Sequence, residues 1–333
     1  MSKVFDLWKE IGGAFGPSGR EDAVREAIAA AAGDYVDDIT TDTLGNLICR
    51  KKGSGKKLLF AAHMDSIGVV ATYIDEKGFI RFSQVGGLFH GDLINIQVRF
   101  ANGTRGVISY EEKPAFKDLT MDNLFIDIGA SSREDAARMV QIGDFAVFEA
   151  PRFEQNGVLC GPYLDNRIGC VTLLLMLEQL SGQQSENDLY FVFTAQEEVG
   201  LRGAGAAAFA VEPDVAIAVD VTDPGDLPER KTPMAVELGG GPAVKVMDRS
   251  VICTPAVCAA LERAAADCGI SVQREILQFG GTDTAMLQKT GAGVQVGAVS
   301  IPTRYIHSPS ELCAVSDVEQ AAALLARFAV TAQ

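Results

Sequence analysis

The sequence predicts an α/β fold, a mixed, mostly parallel sheet sandwiched by helices, with a small β-barrel-like domain inserted into it. Three observations carry this expectation. From about residue 156 onward, apolar strand-like runs alternate with helix-like segments, the order that builds a sheet covered on both faces. A similar apolar run at 57–62 precedes that region and suits the same sheet. Between them the chain changes to short strands with few long helices. The expected division is therefore one α/β domain from 1–68 and 156–333, with 69–155 as a β-rich insertion.

The elements follow in order. Residues 3–13 and 20–33 read as helices, separated by Gly16-Pro17-Ser18-Gly19, where Ser18 can cap the second helix. Residues 36–50 read as a strand pair around Leu44-Gly45-Asn46, and 57–62 as a strand ending at His63. In the insertion, 69–74, 79–83, 93–100 and 104–109 read as strands, with Asn102-Gly103 as a hairpin turn. One helix is expected over 131–140, capped by Ser131 or Ser132. Beyond it, 167–180 has helical apolar spacing. The runs 189–194 and 215–219 are continuous apolar stretches, as in strands buried on both faces. Helices are expected over 203–211, 255–268, 282–290 and 318–328, and a strand over 293–299. Gly200-Leu201-Arg202-Gly203-Ala204-Gly205 is a faint nucleotide-loop match. Its small residues more simply let a helix pack close to a sheet.

Composition narrows the function. The 333 residues are 47% hydrophobic, enough for a large core, and 44 acids against 29 bases give a net charge of −15. So acidic a surface repels nucleic acid and anionic lipid. The charged N-terminal stretch is no secretory leader, and no apolar run is long enough to span a membrane. The seven cysteines form no C-x-x-C pair, which suits free thiols in a reducing cytoplasm.

Five segments could carry chemistry. His63 and Asp65 in Ala61-Ala62-His63-Met64-Asp65 share a strand face, suiting a metal ligand and the carboxylate that orients it. Glu197 and Glu198 directly follow a buried strand, where ligands bind in open α/β sheets. Two acids placed there call for a cation between them, although an acidic turn at a helix start would look the same. Asp220 ends the 215–219 strand. Asp165 enters a helix after a turn, where aspartate is also the ordinary cap. His307 leads into a proline turn. Two histidines and several carboxylates at element ends form the ligand set of a dinuclear site. There is no G-x-S-x-G elbow, H-E-x-x-H helix or Walker loop.

These segments, in this order, resemble the tetrahedral aminopeptidase and glutamyl aminopeptidase family of dinuclear metallopeptidases. The resemblance spans nearly the whole chain. It includes Gly16-Pro17-Ser18-Gly19, Ala62-His63-Met64-Asp65, Leu164-Asp165-Asn166-Arg167, Gln196-Glu197-Glu198-Val199-Gly200, Asp220-Val221-Thr222, Gly239-Gly240-Gly241-Pro242, Gly281-Thr282-Asp283 and Arg304-Tyr305-Ile306-His307-Ser308-Pro309. It implies that Asp165 bridges two divalent ions, Zn²⁺ or Co²⁺. His63 and Asp220 would complete one site, and Glu198 and His307 the other. Glu197 would be the general base and Asp65 the support of His63. It also implies peptide substrates and a homo-oligomer, in many members a tetrahedral dodecamer, with the insertion serving assembly. His90, in Gly86-Gly87-Leu88-Phe89-His90-Gly91, departs from the family pattern. It reads as structural or interface, away from the ligand strands. The stretch 110–117 departs too.

Three rivals remain at this stage. A related carboxypeptidase or deacylase would need a basic grip on a substrate carboxylate, for which Arg167, Arg202 and Arg304 are the candidates. A glucanase-like hydrolase would need acids flanking a glycosidic bond, which adjacent Glu197 and Glu198 suit poorly. A non-enzymatic peptide-binding shell would hold its metals in closed coordination.

Overall fold

A computed structural model describes residues 1–183, 185–229 and 232–332. Its large sheet runs, edge to edge, through Asp38–Thr41, Leu47–Lys51, Asp188–Thr194, Lys57–His63, Val215–Thr222, Gln295–Arg304, Glu311–Ala314, Val158–Gly161 and Phe153–Gln155. The four strands from Asp188–Thr194 to Gln295–Arg304 are mutually parallel, and antiparallel strands flank them. Two further strands, Ala243–Met247 and Gln273–Ile276, branch from Gln295–Arg304. The mixed sheet expected from the sequence is therefore present. The 57–62 run lies inside it, and its last residue, His63, pairs with Thr194.

Alternation decides what covers each face. Leu58, Phe60 and Ala62, with Phe191, Phe193, Ile217, Val219, Val299 and Ile301, face the helices Lys3–Gly13, Asp22–Ala32, Leu164–Gln179, Pro255–Asp267 and Val315–Thr331. The opposite parity is small: Ala61, Ala216, Ala218 and Ala298, beside Leu59 and Val192. Small side chains let the helices Arg202–Val211 and Thr284–Lys289 approach closely. Gly203 sets the limit of that approach. A Cβ there would stand 2.2 Å from Asn46 Oδ1 and 2.5 Å from the Ala195 carbonyl, so the small-residue reading of 200–205 holds in place of the nucleotide-loop match.

The β-rich segment closes into a six-stranded antiparallel barrel. Its strands are Gly68–Ile74, Ile80–Val85, Gln97–Phe100, Arg105–Tyr110, Leu124–Asp127 and Phe145–Glu149. It has its own apolar core, including Ile80, Val98, Phe100, Ile108, Ile126 and Phe148. The chain returns to the large sheet at Phe153, slightly ahead of the expected 156.

Several local expectations need correction. Ser18 does not cap the second helix: that helix starts at Asp22 behind Glu21, and the Ser18 hydroxyl donates to Asp65 Oδ2 at 2.6 Å. The 131–140 helix shortens to Arg133–Ala137, with Ser132 accepting from the Asp135 N–H as its cap. The 93–100 strand begins only at Gln97, because His90–Leu93 forms a 3₁₀ turn. The 215–219 strand continues to Thr222, since its parallel partner is ten residues long and pairs with it as far as Pro302. Asp220 thus lies within a strand rather than at its end.

Candidate metal centre

The carboxyl ends of the parallel strands open into a cleft of about 760 Å³. All five residues expected as ligands, His63, Asp165, Glu198, Asp220 and His307, line it together with Glu197. Each arrives from a different local device. His63 is the last residue of its strand, and Asp220 comes from the adjacent strand. Glu197 and Glu198 sit on a loop that closes on itself, with the N–H groups of Gly200 and Leu201 donating to the Glu197 carbonyl. Asp165 enters its helix through Tyr163, which has φ of 68°, and has non-helical φ/ψ of its own. Gln196, Leu201, Tyr305 and His307 also have positive φ. Left-handed backbone at a non-glycine residue costs on the order of 1 kcal/mol or more. Five such residues flank the cleft, concentrating strain where side chains must be aimed.

The ligand atoms converge. His63 Nε2 lies 3.1 Å from Asp165 Oδ1, 3.7 Å from Asp220 Oδ1 and 3.9 Å from Glu197 Oε2. His307 Nε2 lies 3.2 Å from Asp165 Oδ2 and 3.2 Å from Glu198 Oε2. One carboxylate therefore offers an oxygen to each imidazole. Two ligands about 2.0–2.1 Å from one tetrahedral ion stand roughly 3.3 Å apart. Among the described residues two groups could hold an ion: His63, Glu197 and Asp220, and His63, Asp165 and Glu198, each with ligand atoms within 4.8 Å of one another. On distance alone Glu197 is as well placed to be a donor as a base.

Electrostatics call for a cation. Burial pushes the carboxyls of Glu197 and Glu198 up, with neighbouring acids adding to the shift and the histidines only partly offsetting it. Asp220 is pushed up to about 8, by burial first and then by Asp165. Burial opposes a charged His307, yet Glu198 and Asp165 override it and raise the ring to about 12. His63 is likewise raised against burial, by Glu197, Asp165 and Asp65. Burial also opposes ionised Asp165, but the two imidazoles hold it below the usual carboxylate range. Glu198 Oε1 is buried with no hydrogen-bond partner. Buried polar atoms rarely stay orphaned. Four carboxylates against two imidazoles, with an unsatisfied oxygen among them, are a donor set that fits divalent metal.

A second layer holds these groups. Asp65 Oδ1 faces His63 Nδ1 at 3.4 Å and accepts the Glu197 N–H at 3.0 Å, while Oδ2 accepts the Glu198 N–H at 3.2 Å. Sequence reasoning gave Asp65 only the histidine; it also pins the acidic loop. Glu311 was missed altogether. Fully buried, it accepts the Asp165 N–H at 2.9 Å and the His307 N–H at 3.0 Å, locking the two segments together. Its one sequence signal was its place four residues after His307.

The insertion is not remote from the centre. A Cβ on Gly86 would meet Glu198 Oε2 at 3.0 Å, and one on Gly87 would meet His307 Nδ1 at 3.2 Å. His90 itself packs against Phe89 with the two rings tilted, centroids 4.6 Å apart, and lies outside the cleft lining and both candidate metal groups. The arginines offered to a carboxypeptidase do not line the cleft either. Arg167 is buried and donates to the carbonyls of Ile11 and Gly16. Arg304 pairs with Asp226, and Arg202 reaches Gln196.

Comparison with known proteins agrees with this geometry. The chain is 51% identical over 323 residues to a putative aminopeptidase of Acetivibrio thermocellus, covering 97% of both chains. It is 36% identical to the lysyl aminopeptidase of Pyrococcus furiosus, covering 95% of this chain and 93% of that one. The Pyrococcus horikoshii TET1 peptidase, described as assembling into a tetrahedron or a large octahedral shell, superposes with a TM-score of 0.89 at 32% identity. That match covers 99% of this chain and 100% of the other. The sequence profile of the M42 glutamyl aminopeptidase family matches residues 45–324, and the chain, a peptide-bond hydrolase of the aminopeptidase type, belongs to that family.

Proposed function

We propose that the enzyme removes N-terminal residues from peptides with two divalent cations, Zn²⁺ or Co²⁺, shared through Asp165. In this reading His63 and Asp220 complete one site, and Glu198 and His307 the other. The observation that carries it is the pair of distances from the two Asp165 oxygens to the two histidines, 3.1 and 3.2 Å. Bound there, the cations supply a water of lowered pKa and polarise the scissile carbonyl. Glu197, at the cleft wall, takes the proton of the attacking water on a carboxylate oxygen and returns it to the leaving nitrogen. Asp65 keeps His63 oriented and holds Glu197 by its backbone.

Asp165→Asn tests the shared ligand. After chelation, the wild type is expected to regain activity and bind two equivalents of Zn²⁺ or Co²⁺ by calorimetry. The variant should bind fewer and lose more than the about 10–100-fold typical of an outer-shell change. Two full equivalents in the variant with near-normal turnover would refute the arrangement.

The chain is further read as a homo-oligomer of shell type, tetrahedral dodecamer included, in the reducing cytoplasm that suits its seven free cysteines. The barrel supports assembly by exposing Phe89, Phe116 and Ile142, each at least 60% accessible. Light scattering of the native protein checks this.

A further inference from the structure

The cleft has two unlike halves. One carries the acids and histidines. The other is mostly apolar, built from Leu227, Leu277, Phe279, Ile306 and the ring of Tyr305, with Asp223 the acid that lines the cleft outside the metal set. Phe279 is 65% exposed and Tyr305 49%. Large apolar side chains left open beside a charged centre are costly unless something covers them.

Thr222 and Thr282, both buried, also line the cleft. The Thr222 hydroxyl donates to Glu275 Oε1 at 2.9 Å, and the Thr282 hydroxyl donates to Asp248 Oδ2 at 3.3 Å. A hydroxyl has a single hydrogen to give. With that hydrogen committed to an acid, or for Thr282 to the Thr284 hydroxyl 2.9 Å away, each threonine offers the cleft only lone pairs and a methyl group. Lys245 stands against the same two acids. It is fully buried, with Nζ 2.7 Å from Glu275 and 3.3 Å from Asp248. The lysine is thus neutralised and shut away from the cleft. Among the described residues no lysine or arginine lines it.

We propose that this apolar half receives the side chain of the substrate's N-terminal residue, selecting uncharged apolar side chains and rejecting acidic ones. The inference rests on the aminopeptidase reading and narrows it. A glutamate side chain would lose its water against a surface where, among the described residues, no lysine or arginine stands and the Tyr305 hydroxyl is the side-chain donor on offer, leaving its charge poorly paired. A lysine would shed its hydration against these apolar side chains, with the two threonine oxygens and the Asp223 carboxylate, which also lines the cleft, as its acceptors. A leucine or methionine side chain buries apolar surface there at no such cost. The family name does not decide the matter, since relatives carry both glutamyl and lysyl names.

The test uses the metal-loaded enzyme with p-nitroanilides of Leu, Met, Glu and Lys. The kcat/KM for Leu or Met should exceed that for Glu by about 100-fold or more, and should also exceed that for Lys. Glu within tenfold of Leu, or Lys ahead of Leu, overturns the inference while the aminopeptidase reading stands. No release from any of the four overturns both. Phe279→Arg is a second arm, on a side chain exposed enough that folding does not depend on it. It should lower the Leu-to-Glu ratio at least about tenfold, and an unchanged ratio removes the side chain from this rim.

Discussion

Asp65 lines no part of the cleft, yet His63, Ser18 and the backbone of Glu197 and Glu198 all converge on it. Glu197 itself stands where a ligand or a base could stand, and one substitution separates the two. Glu197→Gln should keep both metals, measured by elemental analysis of the dialysed protein, while kcat falls about 10²–10⁴-fold. Loss of a metal equivalent would make Glu197 a ligand instead. The primary residues were legible because histidine is scarce, three in the chain, and because acids beside apolar strands are conspicuous. Glu311 and Ser18 were not. In sequence a buried acid in a proline turn looks like a solvated one, and a serine before a helix looks like a cap. Only the fold shows that their hydrogen bonds run to Asp165, His307 and Asp65.

At the scale of elements, the long central strands were readable from uninterrupted apolar runs, and the helices from their period. The short strands Val158–Gly161, Ala243–Met247, Gln273–Ile276 and Glu311–Ala314 escaped. Each has four or five residues, and Lys245, Glu275 and Glu311 give three of them a charged residue that mimics a surface turn. Those charges are buried because they pair within the fold. The start of the Arg202–Val211 helix depends on a close approach that no longer side chain permits. Asn46 Oδ1 accepts the Ala195 N–H at 2.8 Å, and its amide donates to the Gly203 carbonyl at 3.0 Å. Gly203→Ala should therefore cost about 1–3 kcal/mol, seen as a lower melting temperature. Because Ala195 leads directly into Glu197 and Glu198, it should also weaken metal binding. A variant with unaltered melting and metal affinity would show that the loop is set independently of Asn46.

For the whole molecule, the acid cluster ties stability to pH through the metal. In the metal-free protein, Asp220 has a folded pKa near 8, above its unfolded value, so its contribution is present at low pH and lost as pH rises through 8. His307, raised to about 12, has the same sign, its contribution starting to fade above about 6.5. Metal reverses the dependence, because ligands must be deprotonated to bind it. The metal-free enzyme should melt at a lower temperature at pH 8 than at pH 6, and the rise in melting temperature on adding Zn²⁺ should be larger at pH 8. A metal-free melting temperature that climbs between pH 6 and 8 would contradict the cluster's charge balance. The overall architecture, one sheet interrupted by a barrel, could be read from the change in strand and helix rhythm. What the rhythm could not tell is how the two parts meet.

That meeting has a consequence for how such a chain can be altered. Tyr163 buries its ring in the barrel's apolar core, and its hydroxyl donates to the Phe148 carbonyl, two residues before Asp165. Gly86 and Gly87 press on Glu198 and His307 from the same side. A shortened chain without the barrel would keep every residue proposed to bind metal, and would lose the outer wall that aims three of them. The barrel is therefore no detachable cargo. Its surface is free to diversify, while Gly86, Gly87, Phe148 and Tyr163 are held to one fit, so grafting a relative's barrel onto this chain requires matching those contacts before matching anything on its exterior.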